Sequence, residues 1–587
     1  MTPVSFGGCF GWLHMPRAGQ SGDVAVLICQ PVGYDALLSH CSLRLLGDDL
    51  AAAGYPALRF DYPGTGDACD DQVETAGGHW KAWRQSVDRA ADWLRSQTGA
   101  RQLVICGLRA GALLATLAAA ARSDVAALIL LEPVLRGRSY LRQLFIEAQL
   151  RTGRPIPPGV GLVFREFKFS PATVTQLSAC DLRDVRLRAD QKVAIFAQGD
   201  TRPIAECAEA WTERGTEVTG FDWEGLEPLL RHNILEENSL ADCRRIVSWV
   251  GENVPGTTLP AAPAVAPPAE LRPAGCIETP LQFGDAKRLF GMLCRPERAA
   301  TDTLVIIANG GRDPHYGAAR HAVFFARRLA RAGVASLRMD FAGLGDSLGP
   351  PGQENVLSHM FSLGRDGDFA AALDLLEGMG YRRFGAQGLC AGAYHSFHAA
   401  LADPRLSVLL LINMPLFTVP EVGALDYLNF REMSPQSFLR KLPRLGSWIS
   451  LVQRRKELGA ILRVQAARVR AQAVTRLRHL GAALGIVDDP TFAESALAQL
   501  SARGVRTLFL FSRDEGDIDA FKQEFGNPDK ALRKYPGATW HIVRELDHDL
   551  TLFDGRAIAE NVMINFIKAK DGGEAASRRY QPNEALA

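Results

Sequence analysis

The sequence predicts an α/β protein of two similar domains, each a mostly parallel sheet covered by helices on both faces. Three observations lead there: a long internal repeat, apolar runs that alternate with amphipathic segments, and a Pro/Ala-rich stretch between the two copies. The repeat is seen when the 587 residues are compared with themselves. Thr2-Pro3-Val4-Ser5-Phe6-Gly7 returns as Thr279-Pro280-Leu281-Gln282-Phe283-Gly284, and VAVLICQPVG (24–33) as TLVIIANGG (303–311). LRFDYPGTGD (58–67) returns as LRMDFAGLGD (337–346), and GLRAGA (107–112) as GLCAGA (388–393). The four blocks keep their order at an offset of about 280 residues. Between the copies, VPGTTLPAAPAVAPPAELRPAG (254–275) has the composition of an extended tether. The expected division is therefore 1–253, a linker at 254–275, a second domain at 276–570, and a flexible tail at 571–587.

Within the second copy, TLVIIANGG reads as a buried strand and its loop, HAVFFARRLARAG as a helix and VASLRMDF as the next strand. GRDGDFAAALDLLEGMG is a further helix, RRFGAQGLCAGA a strand turning into a helix, and LSVLLLINMPL another strand. Uninterrupted apolar strands between amphipathic helices mean a sheet buried on both faces. Ligands of such sheets bind beyond the carboxyl ends of the strands, so the loops there are where chemistry is to be sought.

Composition narrows the classes. Hydrophobic residues make up 47% and charged residues 22%, with a formal net charge of +1, so no whole-molecule field attracts nucleic acid or an anionic bilayer. Eleven cysteines without a C-x-x-C pair suit neither a disulfide framework nor a zinc ribbon, and most read as small buried hydrophobes. The start lacks a basic segment followed by an apolar one, and no apolar run approaches about 18 residues. A soluble, cytoplasmic chain without a membrane span is expected.

Gly388-Leu389-Cys390-Ala391-Gly392 has the form of a nucleophile elbow with cysteine at its centre. A strand that turns sharply into a helix strains the central residue, and only small neighbours two positions away avoid a clash. The turn would put Cys390 at a helix N-terminus, which favours the thiolate. The order nucleophile, acid, base then asks for a carboxylate after a late strand and a histidine last. VRTLFLFSRDEGDIDAF (505–521) offers Asp514, with Glu515 and Asp517 as rivals, and HIVRELDHDLT (541–551) offers His548. His541, at the start of a strand, suits the role less well. Donors for an oxyanion would be the backbone N–H of Ala391 and that of Gly310 or Gly311, in the Asn-Gly-Gly stretch after the first central strand. Asp340, Gly343, Gly345 and Asp346 read as a structural turn whose aspartates bond backbone groups. No metal or organic cofactor is required.

On these motifs both halves resemble the α/β-hydrolase superfamily. The second half, through NGGRDPHYGAARH, LRMDFAGLGDS and GLCAGAYHSFHAA, resembles the bacterial serine-aminopeptidase-like hydrolases, among them the exosortase-A-associated hydrolases. The first, through GLRAGALLATLAA and LEPVLRGRSYLRQL, resembles the second type of those, which also has Arg at the elbow. The resemblance implies two tandem α/β-hydrolase folds and an ester- or thioester-directed chemistry. Cys in place of Ser departs from the pattern and is similar to dienelactone hydrolases and polyhydroxyalkanoate synthases. It favours a thioester acyl-enzyme open to amines, thiols or alcohols as well as water.

Arg109 cannot be a nucleophile, and after the Asp200 loop only His232 follows, with no elbow nucleophile to activate. The first half reads as a pseudo-hydrolase, a docking or scaffold domain. In the second half a helical cap is expected at about 417–504. Its segment 453–480 carries eight Lys or Arg against one Glu, with Leu458, Ile461, Leu462 and Val469 on a helical period. That segment is either a solvated helix or a docking surface for an acidic partner such as an acyl carrier protein or coenzyme A. The rival to a Cys-dependent hydrolase or acyltransferase, including an amide-forming or polymerising one, is a non-catalytic binding scaffold.

Overall fold

The structure is a computed structural model and describes residues 1–17, 22–152, 161–164, 167–198, 202–223, 237–257, 270–298, 302–311, 313–349, 365–418, 491–513 and 516–569. Two eight-stranded sheets account for the chain's architecture. The first contains β1 (Thr2–Phe6), β2 (Cys9–His14), β3 (Val24–Cys29), β4 (Ala57–Phe60), β5 (Gln102–Leu108) and β6 (Val125–Leu131). A separate two-stranded hairpin, β7 (Leu162–Phe164) and β8 (Phe167–Phe169), follows, and β9 (Lys192–Ala197) and β10 (Glu217–Asp222) complete the first sheet. The second contains β11 (Cys276–Phe283), β12 (Leu289–Pro296), β13 (Thr303–Ala308), β14 (Ala335–Asp340), β15 (Arg383–Leu389), β16 (Leu406–Ile412), β17 (Arg506–Ser512) and β18 (Ala538–Val543).

Strand order is the same in both: 1-2-4-3-5-6-9-10 and 11-12-14-13-15-16-17-18. Six strands of each run parallel, and the first two are antiparallel, with β11 on β12 and β12 on β14. The parallel register is set by apolar side chains that fill both faces: Ile306 lies opposite Leu337 on one side and Ala386 on the other. The alternation of strands and helices did not reveal the antiparallel hairpin at the start of each half. β2 is buried at all six positions and shows no polar face, so its periodicity is invisible, although Gly7 and Gly8, both left-handed, mark the turn before it.

Helices Tyr34–Ala52, His79–Thr98 and Ala110–Ala121 cover the first sheet, and His321–Arg331, Asp366–Gly378, Ala391–Ala402 and Phe553–Lys568 cover the second. No helix among the described residues is long and apolar enough to cross a membrane. None of the eleven cysteines is in a disulfide; nine are buried, and the two half-buried ones are Cys180 and Cys390. The cap expected at about 417–504 falls mostly on 419–490, outside the described residues, as do the basic segment 453–480 and the tail. Only its end is seen, the helix Phe492–Ala502, closed by a capping box between Thr491 and Glu494.

The halves meet along β2 and β12 and the turns after β4 and β14. Phe10, Trp12, Phe290 and Met292 form an apolar patch across the contact, with the Trp12 and Phe290 rings 4.7 Å apart. Buried charges surround it. Arg338 donates to Asp67 and to Glu278, each at 2.6 Å, and Arg59 donates to Asp346. Arg59 and Arg338 hold the same place in the repeat, as do Asp67 and Asp346, so the pairing is reciprocal, as across a two-fold axis. The expectation that the aspartates of the second turn bond backbone groups holds for Asp340, which accepts the N–H of Asp346, and Asp61 does the same for Asp67 in the first half. It fails for Asp346, whose carboxylate, like that of Asp67, points into the other half.

Candidate functional site

β15 delivers Cys390 to the carboxyl edge of the second sheet, and the helix Ala391–Ala402 begins at the next residue. Its backbone sits at φ 54°, ψ −114°, a conformation that costs an ordinary residue about 1–3 kcal/mol. The surroundings impose it. Cys390 N–H donates to Ile412 O at 2.9 Å, and Ala393 N–H returns to Cys390 O at 3.1 Å. A Cβ on Gly388 would lie 2.0 Å from the Gly392 carbonyl carbon, and one on Gly392 would lie 2.3 Å from Asn309 O. Glycine is thus required at both positions for the turn to close. The same approach brings the Asn309-Gly310-Gly311 loop against the elbow, and Gly311 there is left-handed at φ 63°.

Arg109 occupies the equivalent point of the first half with nearly the same angles, φ 54° and ψ −117°. Its turn is closed by the same contacts, since a Cβ on Gly111 would meet Cys29 O at 2.1 Å. The elbow persists there without a nucleophile. Arg109 Nε instead faces Asp35 at 3.4 Å. The loop after β3 is packed over by the hairpin: a Cβ on Gly33 would sit 3.5 Å from the Phe164 ring. Asp200 and His232 lie outside the described residues.

Of the residues expected beside Cys390, His548 is half-buried in the loop between β18 and the helix Phe553–Lys568. His541 is the fourth of six residues of β18 rather than its start, paired with Leu510, and burial lowers its pKa. Asp514 and Glu515 lie outside the described residues. Asp517 is placed by its backbone alone, as the second residue of the helix Gly516–Phe525.

Asn413, which the sequence did not single out, joins these loops. It follows β16, is fully buried, and is left-handed at φ 46°. Its Oδ1 accepts Ser512 N–H at 2.8 Å, and its Nδ2 donates to Ser512 Oγ at 2.8 Å and to His548 O at 3.1 Å. The Ser512 N–H fixes which amide atom is oxygen. Glu132 stands at this place in the first half, also left-handed, and accepts Gln198 N–H in the same way. A carboxylate there cannot donate, so a histidine loop could not be held as in the second half. Asn-Met-Pro after a buried strand was the only local signal.

His315, Asp340 and Asp346 bring potential ligand atoms within 4.8 Å of one another. These groups already satisfy each other. His315 hydrogen-bonds Asp340 through Nδ1 at 2.8 Å and Asp67 through Nε2 at 2.6 Å, so neither ring nitrogen keeps a lone pair for a cation. Asp346 is taken by Arg59 and His40. Burial opposes a charge on His315, but the two carboxylates outweigh it and raise its pKa well above the usual value. Burial likewise works against the Asp67 carboxylate, and His315 and Arg338 overcome it, holding Asp67 below the ordinary range. Asp61, beside Asp67, is pushed up to about 6 by burial and by that neighbouring charge.

Strand order, the crossing helices and the strained elbow at the end of the fifth strand define the α/β-hydrolase architecture in both halves. Both halves have the α/β-hydrolase fold. Residues 39–184 match the family model "Hydrolase_4: Serine aminopeptidase, S33", a stretch that lies in the half with Arg109. No curated protein sequence matches the chain. Similar solved structures include Est1E from Butyrivibrio proteoclasticus with bound ferulic acid, at 15% identity, 43% of this chain, 99% of that chain and a TM-score of 0.32. Another is a proline iminopeptidase of Mycobacterium smegmatis, at 13% identity, 43% and 97% coverage and a TM-score of 0.31. A third is the Pyrococcus furiosus esterase PF2001, at 13% identity, 50% and 90% coverage and a TM-score of 0.32.

Proposed function

We propose that the second half is an acyl-transferring hydrolase for esters or thioesters, working through Cys390. The observation that carries the reading is the place of the thiol: Cys390 stands half-buried at the elbow, at a helix N-terminus beyond the carboxyl edge of the sheet, whereas nine of the chain's other ten cysteines are buried. His548, oriented by Asp514, would take the Sγ proton. The thiolate would attack the acyl carbonyl, with the oxyanion on the N–H groups of Ala391 and of Gly310 or Gly311. Collapse would expel the alcohol or thiol with that proton and leave a Cys390 thioester. Water, or an amine or alcohol acceptor, then takes the acyl group and restores the thiol. An acyl carrier protein or coenzyme A docking on 453–480 would be a natural donor. The matched family's name points to amide cleavage, which proceeds through the same acyl-enzyme.

The test is intact-mass measurement of the full chain after exposure to acyl esters and acyl thioesters. A mass increment of one acyl group is expected in the wild type and none in Cys390→Ala. An increment that persists in Cys390→Ala would put the acyl group on another residue and overturn the assignment, and none with any donor would leave the scaffold reading.

A further inference from the structure

The half with Arg109 at its elbow touches the start of the helix that follows the His548 loop, through Lys168 on Phe553. Three cations and two rings form a ladder between the halves. The Arg320 guanidinium lies 5.2 Å from the centre of the Phe324 ring, and the buried Arg556 guanidinium lies 4.2 Å from Phe324 and 4.7 Å from Phe553. Lys168 Nζ, from strand β8 of the first half, completes it at 4.6 Å over Phe553. At the other end Arg320 is anchored in the first half, donating to Gly66 O, Ala68 O and Asp70 at 2.6–2.9 Å. Arg556 also donates to Ala319 O at 3.1 Å.

The rungs bear on the start of the helix Phe553–Lys568, directly after the His548 loop. That loop is closed on the helix: Leu552 N–H donates to Asp547 at 3.0 Å, and a Cβ on Gly555 would meet Glu545 O at 2.1 Å. A shift of Phe553 or Gly555 therefore moves residues 545–552 with it. The first half holds this helix start from two sides, through Lys168 and through the anchored Arg320.

We infer that the first half serves the second site: its hairpin β7–β8 and its 66–70 turn clamp the helix start and so fix His548. Lys168, Phe553 and Arg556 are positioning residues, and this rests on the reading of His548 as the base for Cys390. Such a role gives the hairpin a use even though its own half has Arg109 at the elbow.

The test uses the full chain with Lys168→Glu, which replaces attraction to the ring by repulsion at an exposed position, and Lys168→Arg, which keeps the cation. Two readouts are taken: amide hydrogen exchange of peptides covering 544–556, and the pH profile of Cys390 alkylation by iodoacetamide, read by intact mass. Lys168→Glu is expected to speed exchange in 544–556 about three-fold and to displace the alkylation profile, with Lys168→Arg near wild type. Exchange in 544–556 that stays at the wild-type rate in Lys168→Glu overturns the inference. A wild-type alkylation profile identical to that of His548→Ala overturns the base assignment instead, and the exchange result then still decides whether the first half holds the loop.

Discussion

Asn413 shows how much one buried amide can decide at the candidate site. It satisfies donors and acceptors from the ends of β16 and β17 and from the His548 loop, and it does so from a left-handed backbone that few residues adopt. Asn413→Asp keeps the shape and the acceptor for Ser512 N–H but removes both donations. The result is a buried carboxylate oxygen against Ser512 Oγ and the His548 carbonyl. Stability should fall by about 1–3 kcal/mol, the usual cost of stranding a buried partner. The rate of Cys390 acylation should drop about ten-fold or more, a loss of roughly 1.4 kcal/mol or greater. Denaturant unfolding and single-turnover acylation check the two. An unchanged acylation rate would mean that the His548 backbone needs no tether.

At the scale of elements, the two halves share one strand order and one elbow, and the difference between them lies in what the strand ends carry. The strands were legible because burial on both faces writes long apolar runs, and the elbow because close backbone contacts force glycine at both Gly388 and Gly392, two positions either side of Cys390. The docking of the halves was not legible. Its polar pairs join residues far apart in the chain, as in Asp67 with His315 and His40 with Asp346, 248 and 306 residues apart. One trace did exist: a charged residue, Arg59 and Arg338, recurs within otherwise apolar strands of both copies, where only a buried partner explains it. Arg338→Met tests its weight. Arg338 is fully buried and neutralises Asp67 and Glu278, so its loss should cost about 3–5 kcal/mol in chemical unfolding. Arg59→Met should cost less, because one buried carboxylate, Asp346, loses a partner rather than two. An equal or inverted order would show that the reciprocal pairs are not carrying the contact.

Over the whole molecule, the interface places an imidazolium between carboxylates of different halves, which ties assembly to pH. The folded-state pKa of His315 is raised, so its contribution is complete below the unfolded value of about 6.5 and fades as pH rises through the folded value. Asp67 and Asp346 behave oppositely: their pKa values are depressed, and their contribution is complete above about 4 and fades as pH falls through the folded values. Because His315 and Asp67 face each other, the two limbs describe one shared pairing and are not to be added. The contribution of this pairing should therefore be greatest between roughly pH 4 and 6.5 and decline into the alkaline range. Above the folded value the neutral ring keeps one N–H, and a lone pair then opposes one carboxylate, at 2.6 or 2.8 Å. His315→Gln removes the titrating group. The gap in thermal midpoint between wild type and His315→Gln should be constant at mildly acidic pH and close steadily as pH rises toward 10. A gap that stays the same from pH 6 to 10 would show that His315 does not titrate in that range and that the pairing does not tie assembly to pH.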